Sequence, residues 1–334
     1  MDKTYRTKTL KKIRLGIIGT SDIALRRFVP ALKRCNKIEY VGVASRTKCA
    51  AEAFVKVAGG RPYVGYDEML NDEMIDAVYI PLPPSLHFQW AQNALMIGKH
   101  VLSEKPLTPR LDDTERLISL AKDNGLALFE NYTFMHHNQI DKIRDLLNGN
   151  AIGLIRLIKA SFEFPKRAEN DFRYSHSLGG GALLDCGGYT VKLASSLLGE
   201  STYVADAFLV SEEREVDLFG NVVLRNASGL TAQLSFGMDN DYRCDLEICG
   251  SEGTIEASRI FTAPDAFEAC VSVFSNGKTI KEYLMADDQF LRSIEKFCDC
   301  VKSKKAREDE LSDIIFQSHL VNEVKDFNIK SRKG

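Results

Sequence analysis

The segment Ile13-Arg-Leu-Gly-Ile-Ile-Gly19-Thr-Ser-Asp-Ile-Ala24 carries the strongest indication of fold class in this chain. Its first half is an apolar run typical of a buried strand, and a helical pattern begins in its second half. Gly19 and Ala24 flank the turn, as in the G-x-G-x-x-G/A turns that bring a dinucleotide pyrophosphate to a helix N-terminus. Ser21 replaces the middle glycine. The turn predicts a dinucleotide-binding unit with cofactor contacts at Gly19, Thr20, Ser21, Asp22 and Ile23.

Apolar runs and helical patterns alternate from this turn to residue 130. Strands are predicted at 13–19, 40–45, 77–80, 100–103 and 127–130, and helices at 22–34, 47–57, 66–70, 85–97 and 111–124. Such alternation is typical of βαβ units on a parallel sheet. It predicts an α/β nucleotide-binding domain over residues 1–130.

Strand-like runs follow one another in the second part of the chain. They are predicted at 154–164, 203–212, 216–224, 231–236, 243–249, 253–257, 269–275 and 279–284, with helices at 138–147, 181–198, 290–302 and 308–327. Consecutive strands joined by turns indicate an antiparallel or mixed sheet. We therefore expect an α+β domain with one broad sheet over residues 131–334, and an active site in the cleft between the two domains.

The composition excludes several classes of partner. The chain has 334 residues, of which 44% are hydrophobic and 27% charged, with a formal net charge of −2. Because no basic patch interleaved with aromatic residues is present, we expect no nucleic-acid partner. The longest apolar runs are too short to span a membrane, and the basic first twelve residues lack the apolar core of a secretory signal. We expect a solvated N-terminal tail, no membrane partner and a cytoplasmic location.

The cysteines and histidines do not indicate a metal site. No C-x-x-C pair occurs among the eight cysteines, and Cys298 and Cys300 lack partners at zinc-ligand spacing. Free thiols in a reducing cytoplasm are the simpler interpretation. The adjacent histidines His136 and His137 do not share a helical face, so we predict no metal ligand there.

A second cofactor signal is Ser45-Arg46-Thr47-Lys48, about 20 residues beyond the turn. NAD-selective enzymes place a carboxylate here for the ribose 2′-hydroxyl, whereas a nearby arginine accommodates a 2′-phosphate. A hydroxyl at Ser45 and two cations at Arg46 and Lys48, with no acid, favour NADP, although NAD is possible. The alternative is that the cations only mark a solvated helix start.

The loop Pro81-Leu-Pro-Pro-Ser85-Leu-His87 follows the third strand. A rigid loop at the carboxyl edge of a parallel sheet is expected to line the cofactor crevice. The candidate contacts are Pro81, Leu82, Pro83 and His87. For His87 the simpler interpretation is a satisfied helix residue, with the loop backbone near the nicotinamide ribose.

Glu104-Lys105-Pro106 lies at the same edge, after the fourth strand. A lysine beside a nicotinamide can donate a proton or polarise a carbonyl as hydride moves, and the positive ring would lower its pKa. We therefore take Lys105 as a catalytic candidate, and Glu104 and Lys105 as cofactor contacts. The alternative is a surface salt bridge between Glu104 and Lys105.

The stretch Leu178-Gly-Gly-Gly181-Ala-Leu-Leu-Asp185-Cys-Gly-Gly-Tyr189 contains three consecutive glycines, which allow a close approach of the backbone to a ligand or another helix. Asp185 and Tyr189 are four residues apart and share a helical face. A carboxylate and a phenol on one face suit substrate orientation and proton transfer. Close helix packing with a structural aspartate explains the same pattern equally well.

These motifs, in this order, resemble the Gfo/Idh/MocA family (glucose-fructose oxidoreductase, inositol dehydrogenase and relatives) over essentially the whole chain from Ile13. The resemblance implies an N-terminal Rossmann domain and a C-terminal open-faced, mostly antiparallel sheet used in homo-oligomerisation, as a dimer or tetramer. It also implies that Lys105 is an active-site residue, preceding Pro106 in a bond that is often cis.

The chain departs from the usual family motif, G-G-G-x-L-x-D-x-G-x-H-x-x-D, at two positions. Tyr189 stands at the histidine position and Lys192 at the last aspartate, which makes inositol and other polyols less expected substrates. Tyr189 and the turn beginning at Gly19 resemble the branch that reduces the C3 ketone of dTDP-linked keto-deoxysugars with NADPH. In the tract from residue 130, Met135 replaces a common arginine and Asn138 a proline, so one substrate-side cation is missing.

The resemblance therefore implies an oxidoreductase that moves hydride between NADPH and the ketone of a small-molecule sugar. Tyr189 would donate the proton, Lys105 would lower the pKa of that phenol and stabilise the oxyanion, and Asp185 would position a sugar hydroxyl. Lys105 as the donor, with Tyr189 orienting the substrate, is nearly as favoured. Two other functions stay open: an NAD(P)-dependent dehydrogenase of a free aldose or cyclic diol, and a non-catalytic cofactor-sensing protein.

Overall fold

The computed structural model describes residues 12–331, and its first sheet has six strands, all parallel. They run in the order β3-β2-β1-β4-β5-β6. The strands are β1 (Ile13–Ile18), β2 (Ile38–Ser45), β3 (Arg61–Val64), β4 (Ala77–Ile80), β5 (His100–Ser103) and β6 (Leu128–Glu130). The strand order reverses between β1 and β4, so the carboxyl ends of these strands form the crevice where α/β sheets bind their ligands.

Helices cover both faces of this sheet. They are α1 (Val29–Arg34), α2 (Lys48–Ala58), α3 (Tyr66–Leu70), α4 (Pro84–Met96) and α5 (Leu111–Asn124). Every residue of β4 is buried, as expected for a parallel strand that is covered on both sides. The predicted Rossmann domain is therefore confirmed.

Strand β3 was not predicted from the sequence. It is a four-residue edge strand, three of whose residues are exposed, and it contains Pro62. A proline is tolerated at a sheet edge, but it removes the alternating apolar signal by which a strand is recognised.

The second sheet has eight strands in the order β14-β13-β12-β11-β7-β10-β9-β8. All neighbours are antiparallel except β7 and β10, so the predicted antiparallel or mixed sheet is mixed and mostly antiparallel. The strands are β7 (Ile155–Glu163), β8 (Tyr203–Val210), β9 (Phe219–Arg225), β10 (Thr231–Gly237), β11 (Arg243–Gly250), β12 (Gly253–Ser258), β13 (Cys270–Ser275) and β14 (Lys278–Tyr283).

Four more helices complete the described fold: α6 (Asn138–Asn148), α7 (Gly188–Leu198), α8 (Gln289–Lys302) and α9 (Lys304–Ser331). On β7, Ile158, Ala160 and Phe162 face inward and share a core with α7 and α9. The alternate residues, such as Lys159, lie on the exposed outer face. This alternation is the pattern of a sheet covered on one side.

Helix α8 packs against the first sheet, although it follows the second sheet in sequence. Its Phe290, Ile294 and Phe297 share a core with Phe28 and Leu32. The predicted boundary between residues 130 and 131 thus separates the two sheets but not all the helices, and it stays a prediction. Residues 1–11 of the predicted N-terminal tail lie outside the described residues. Within residues 12–331 no helix has the length and apolarity needed to cross a membrane.

Candidate active site

The turn after β1 packs directly on the loop after β4. Gly19 has a φ of +109°, and a Cβ at this position would lie 2.6 Å from Cδ2 of Leu82. A side chain here would therefore meet both backbone strain and a steric contact. The turn and the loop, both predicted as cofactor-binding, meet at the crevice.

Ser21 begins the helix that follows this turn. Its Oγ accepts a hydrogen bond from the main-chain nitrogen of Ala24 at 3.2 Å, so the serine in the middle glycine position caps the helix. The helix then passes through a π-helical turn at Ala24–Phe28 before α1, because Pro30 has no N–H to donate. A glycine cradle followed by a helix N-terminus fits a dinucleotide pyrophosphate.

The end of β2 carries the residues predicted to select NADP. Ser45 is buried, and Arg46 is exposed without a hydrogen bond or ion pair to any residue within 12–331. Lys48 is also exposed, with its Nζ 3.8 Å from the carboxylate of Glu52. Thr47 caps α2 through a 3.4 Å bond from the nitrogen of Ala50. This arrangement fits a 2′-phosphate, with Arg46 as the freer of the two cations.

His87 is fully buried on α4. Its Nδ1 lies 2.8 Å from the carbonyl oxygen of Pro106, and its Nε2 lies 2.7 Å from that of Leu82. Burial lowers its pKa, although both carbonyls oppose this shift. The side chain has no free surface for a cofactor, so the prediction of a cofactor contact is wrong for His87, and a satisfied helix residue is the correct interpretation.

Glu104 does not pair with Lys105. Its Oε1 accepts hydrogen bonds from the hydroxyl of Tyr79 and from Nδ2 of Asn131, both at 2.7 Å. The alternative of a surface salt bridge between neighbours is therefore wrong. The Lys105–Pro106 peptide bond is cis, as the family resemblance implied.

Lys105 crosses from the first domain to the second. Its side chain is 11% exposed, and its Nζ donates to the main-chain oxygen of Asp185 at 2.6 Å and to Oδ1 of Asp185 at 3.0 Å. Burial acts to lower the pKa of Lys105, but the charge and hydrogen bond of Asp185 together with Tyr189 oppose it, and the pKa is raised. In the protein alone the lysine is therefore held in its charged form, opposite to the lowering expected beside a nicotinamide.

Asp185 lies between two cations. Its Oδ2 accepts a 2.6 Å bond from Nε of Arg173, which also pairs with Asp171 at 3.2 Å. Burial would raise the pKa of Asp185, but Lys105 and Arg173 hold it well below its usual range. The carboxylate is thus ionised, and each of its oxygens binds a cation.

The sequence did not single out Arg173. This residue lies in a short 3-10 turn, Phe172–Tyr174, within the irregular stretch before the three glycines. A lone cation in such a stretch resembles any solvated arginine. Only its contact with Asp185, twelve residues away, assigns it to the site.

Tyr189 meets the same lysine on its ring face. The Nζ of Lys105 lies 4.7 Å from the ring centroid, a cation–π distance. Burial raises the pKa of Tyr189 to about 12, with Lys105 opposing the shift. The phenol therefore keeps its proton at neutral pH. The predicted common face of Asp185 and Tyr189 is confirmed, because both contact Lys105.

Aromatic rings hold Tyr189 in place. Tyr132 meets the ring edge-on at a centroid distance of 5.3 Å, and Phe162 does so at 5.1 Å. Phe134 and Phe261 lie at 5.5 and 5.8 Å. This packing fixes the orientation of the ring, and no residue within 12–331 forms a hydrogen bond with its hydroxyl.

The first glycine of the run, Gly179, packs closely against the first domain. Gly179 has a φ of +79°, and a Cβ there would lie 3.0 Å from Cβ of Pro84 and from the nitrogen of Ser85, at the start of α4. The helix after the glycines begins with a π-helical turn at Leu183–Gly187, which contains Asp185. Such turns are frequent at functional sites because they redirect one carbonyl and its neighbours.

Buried carboxyl groups lie behind the lysine segment. Oε1 of Glu130 accepts a 2.6 Å bond from the nitrogen of Leu107, and burial raises the pKa of Glu130 to about 7. Burial also raises the pKa of Glu310, on α9, to about 8. Lys192, at the position of the family's last aspartate, pairs with Asp313 at 2.6 Å. Within residues 12–331 no group of three His, Cys, Asp or Glu side chains could hold a metal ion.

Comparisons with known proteins agree with this architecture. Residues 13–132 match the oxidoreductase family with an NAD-binding Rossmann fold, and residues 140–256 match the GFO/IDH/MocA C-terminal domain. A curated dTDP-3,4-didehydro-2,6-dideoxy-alpha-D-glucose 3-reductase from Actinomadura kijaniata is 40% identical, over 94% of this chain and 95% of its own. Its counterpart from Streptomyces violaceoruber is 42% identical, over 89% and 87%.

A solved structure shows the same likeness in three dimensions. KijD10, a 3-ketoreductase from Actinomadura kijaniata in complex with NADP and TDP-benzene, matches with a TM-score of 0.91 and 40% identity. The match covers 95% of this chain and 98% of that one. From both family matches, the two-sheet fold and relatives of this identity over nearly the whole length, we conclude that the chain belongs to the Gfo/Idh/MocA family of oxidoreductases.

Proposed function

We propose that this protein is an NADP-dependent reductase that transfers hydride from NADPH to a sugar ketone, the C3 ketone of a dTDP-linked keto-deoxysugar. The observation that carries the proposal is the buried Lys105, which joins the cofactor crevice to Asp185 and Tyr189. Relatives at 40% and 42% identity are reductases of such a sugar, and KijD10 is described with NADP and a TDP compound.

The first domain would hold the cofactor. We assign the pyrophosphate to the turn from Gly19 to Ile23, and the 2′-phosphate to Ser45, Arg46 and Lys48. The loop 81–83 and the Glu104-Lys105 pair would lie along the nicotinamide half. Bound NADPH supplies the hydride.

Tyr189 would act as the general acid. As hydride adds to the ketone carbon, the carbonyl electron pair moves to the oxygen, which takes the proton of the Tyr189 hydroxyl. Lys105 stays charged and stabilises the developing negative charge. General acid catalysis of this kind contributes about 10²- to 10⁴-fold. A phenol with a pKa of about 12 holds its proton until this step.

Asp185 would hold the lysine in position. Its two oxygens bind Lys105 and Arg173, which fixes the direction of the ammonium group. A carboxylate oxygen has a further lone pair, so Asp185 can also accept a bond from a sugar hydroxyl. Arg173 would keep the aspartate ionised.

Assembly and location are also proposed. The exposed outer face of the second sheet would join copies of the chain into a homo-oligomer, a dimer or tetramer. All eight cysteines are free thiols, which suits a reducing cytoplasm. Sedimentation of the full chain at micromolar concentration tests the assembly, and a monomer there would contradict it. Microscopy of the tagged protein tests the location.

The function is tested by following NADPH oxidation with purified protein. One arm offers dTDP-linked 3-keto-deoxysugars, a second offers the same sugars without the nucleotide, and a third offers free aldoses and cyclic diols with NADP⁺ or NAD⁺. We expect turnover with the nucleotide-linked ketones only. Oxidation of free aldoses would favour the dehydrogenase, and NADPH binding without turnover on any sugar would favour a sensor.

A further inference from the structure

His87 lies between two segments of the proposed active site. Its Nε2 is 2.7 Å from the carbonyl oxygen of Leu82 in the loop after β4. Its Nδ1 is 2.8 Å from the carbonyl oxygen of Pro106, the residue after Lys105. Within residues 12–331, no other side chain forms a hydrogen bond to either of these two oxygens.

Each of the two segments contacts or contains a residue of the proposed active site. The side chain of Leu82 covers Gly19, the residue of the dinucleotide turn that has no room for a Cβ. Pro106 follows Lys105, whose ammonium group binds Asp185. The imidazole therefore connects the loop that contacts Gly19 to the segment that carries Lys105.

The two carbonyls compete for one proton. A carbonyl oxygen only accepts hydrogen bonds, and a neutral imidazole has a single N–H. Burial and the nearby charge of Lys105 both favour the neutral ring, while the carbonyls of Pro106, Leu82 and Leu107 oppose them. At neutral pH the ring thus donates to one oxygen while its other nitrogen faces the second without a hydrogen. A small shift of either segment changes which bond is preferred.

We propose that His87 is a positioning residue that couples the cofactor loop at Leu82 to the catalytic lysine through Pro106. When NADPH displaces or orders Leu82, the imidazole proton is redistributed between the two carbonyls. The hydrogen bond to Pro106 is then strengthened or lost, and this changes how firmly the segment with Lys105 is held. This inference rests on the proposed function, because it assigns NADPH to the turn at Gly19.

Two substitutions separate the two bonds. The amide nitrogen of asparagine takes a place near Nδ1, so His87→Asn keeps a donor for Pro106, whereas that of glutamine is near Nε2, so His87→Gln keeps one for Leu82. We expect His87→Gln to bind NADPH within about twofold of wild type but to lose about tenfold in kcat, since a lost hydrogen bond misplaces the lysine. His87→Asn should lose less of kcat than His87→Gln does. It should bind NADPH several-fold more weakly, a loss of roughly half the free energy that corresponds to the tenfold change in kcat.

His100→Gln is the matched control. His100 lies at the amino end of β5, the opposite end from Lys105, and its Nδ1 accepts a 2.9 Å bond from the nitrogen of Ala127. This variant also loses a ring-to-backbone bond, so it should lower Tm while kcat and the Kd for NADPH stay at wild-type values. If both His87 variants behave like His100→Gln, the proposal is overturned.

A spectroscopic measurement on the wild-type chain does not depend on those variants folding. The six histidines are labelled with ¹⁵N, and the ring signals are assigned by substituting the other five. NADPH should shift the ring nitrogens of His87, and those of His100 should not move. An unchanged His87 signal at saturating NADPH would overturn the coupling. Failure of the wild-type enzyme to reduce any nucleotide sugar would refute the proposed function but not the coupling, because the change in the His87 signal requires only cofactor binding.

Discussion

The six-stranded sheet contributes to the candidate site through the loops at the carboxyl ends of its strands. The eight-stranded sheet contributes through a helix that packs on its inner face. In the first, parallel strands bring the turn at Gly19, the loop at Leu82 and the segment at Lys105 to one line of carboxyl ends. In the second, the strands carry none of the proposed catalytic residues. Asp185 and Tyr189 lie on the helix that packs against β7 and β10.

The difference follows from strand direction. Parallel strands end on the same side, so the loops that follow them converge without further design. Antiparallel strands end alternately on both sides, and such a sheet offers a face rather than an edge. The second sheet therefore supports the helix with its inner face, while alternate residues such as Lys159 on β7 lie on its exposed outer face. The salt bridge between Lys105 and Asp185 connects the two arrangements.

Removal of Lys105 should have the largest effect on this connection. We expect Lys105→Met to lower kcat by about 10²- to 10⁴-fold, because charge stabilisation at the ketone oxygen and the bond to Asp185 are both lost. NADPH binding, followed by fluorescence, should stay measurable. Lys99→Met is the control: Lys99, just before β5, donates to the carbonyls of Asp72 and Ile75 and lies at the opposite end of the strand from Lys105, so this change should affect stability alone. An active Lys105→Met enzyme would refute the catalytic role.

Tyr189→Phe tests the contribution of the second domain. If the phenol is the proton donor, kcat should fall by about 10²-fold or more, while the ring still packs against Lys105. Tyr63→Phe, which loses a buried hydroxyl bond to Asp72 in the first domain, should leave kcat unchanged. A Tyr189→Phe variant that retains nearly full kcat would assign the proton to Lys105, which is the reverse arrangement.

The buried carboxyl group of Glu130, at the end of β6, should make the stability of the protein depend on pH. The folded pKa of Glu130 is raised to about 7, above the ordinary value of 4.5. A raised carboxyl pKa means that the stabilisation is complete below about pH 4.5 and is lost as pH rises through 7. The free energy of unfolding should fall by about 3 kcal/mol between pH 5 and 8.

Denaturant unfolding measured across that range checks the effect. Glu130→Gln keeps an acceptor for the nitrogen of Leu107 but does not ionise, so its stability curve should be flatter. Glu115→Gln, an exposed control on α5, should keep the wild-type slope. An identical slope in Glu130→Gln would show that another group is responsible, with Glu310 the next to replace.

Gly19→Ala tests whether the close packing of Gly19 against Leu82 is needed for cofactor binding. The positive φ costs about 1–2 kcal/mol, and the contact with Leu82 adds to it. We expect NADPH to bind about tenfold more weakly, with a lower Tm. Gly65→Ala is the matched control, because Gly65 has a φ of +99° but no atom within 4 Å of the added Cβ. Equal cofactor affinity in both variants would exclude a cradle at Gly19.

The smallest effect is expected at the end of β2. Arg46→Ala should reduce the preference for NADPH over NADH by about tenfold, which corresponds to one charge-assisted contact with the 2′-phosphate. Lys48→Ala should change it less, since Lys48 is already near Glu52. The ratio of kcat/KM for the two cofactors measures both. An unchanged ratio in Arg46→Ala would assign the cations to a solvated helix start.

Local patterns were sufficient for most of the secondary structure. The predicted ranges of β4, β5 and α5 agree with the structure, because apolar runs and flanking glycines act over a few residues. The edge strand β3 was missed, since its proline and exposed residues leave no periodic signal. Strand β3 is defined instead by its pairing with β2.

The sequence by itself determined the two-domain plan, the glycine turn after β1, the position of Lys105 at a strand end and the shared face of Asp185 and Tyr189. Only the tertiary structure decided the partners: the contact between Lys105 and Asp185, which are 80 residues apart, the pairing of Arg173, and the burial of His87 between two carbonyls. The physical reason is range. Periodicity and turn chemistry depend on residues a few positions apart, but a hydrogen bond depends on the distance between atoms that packing alone brings together.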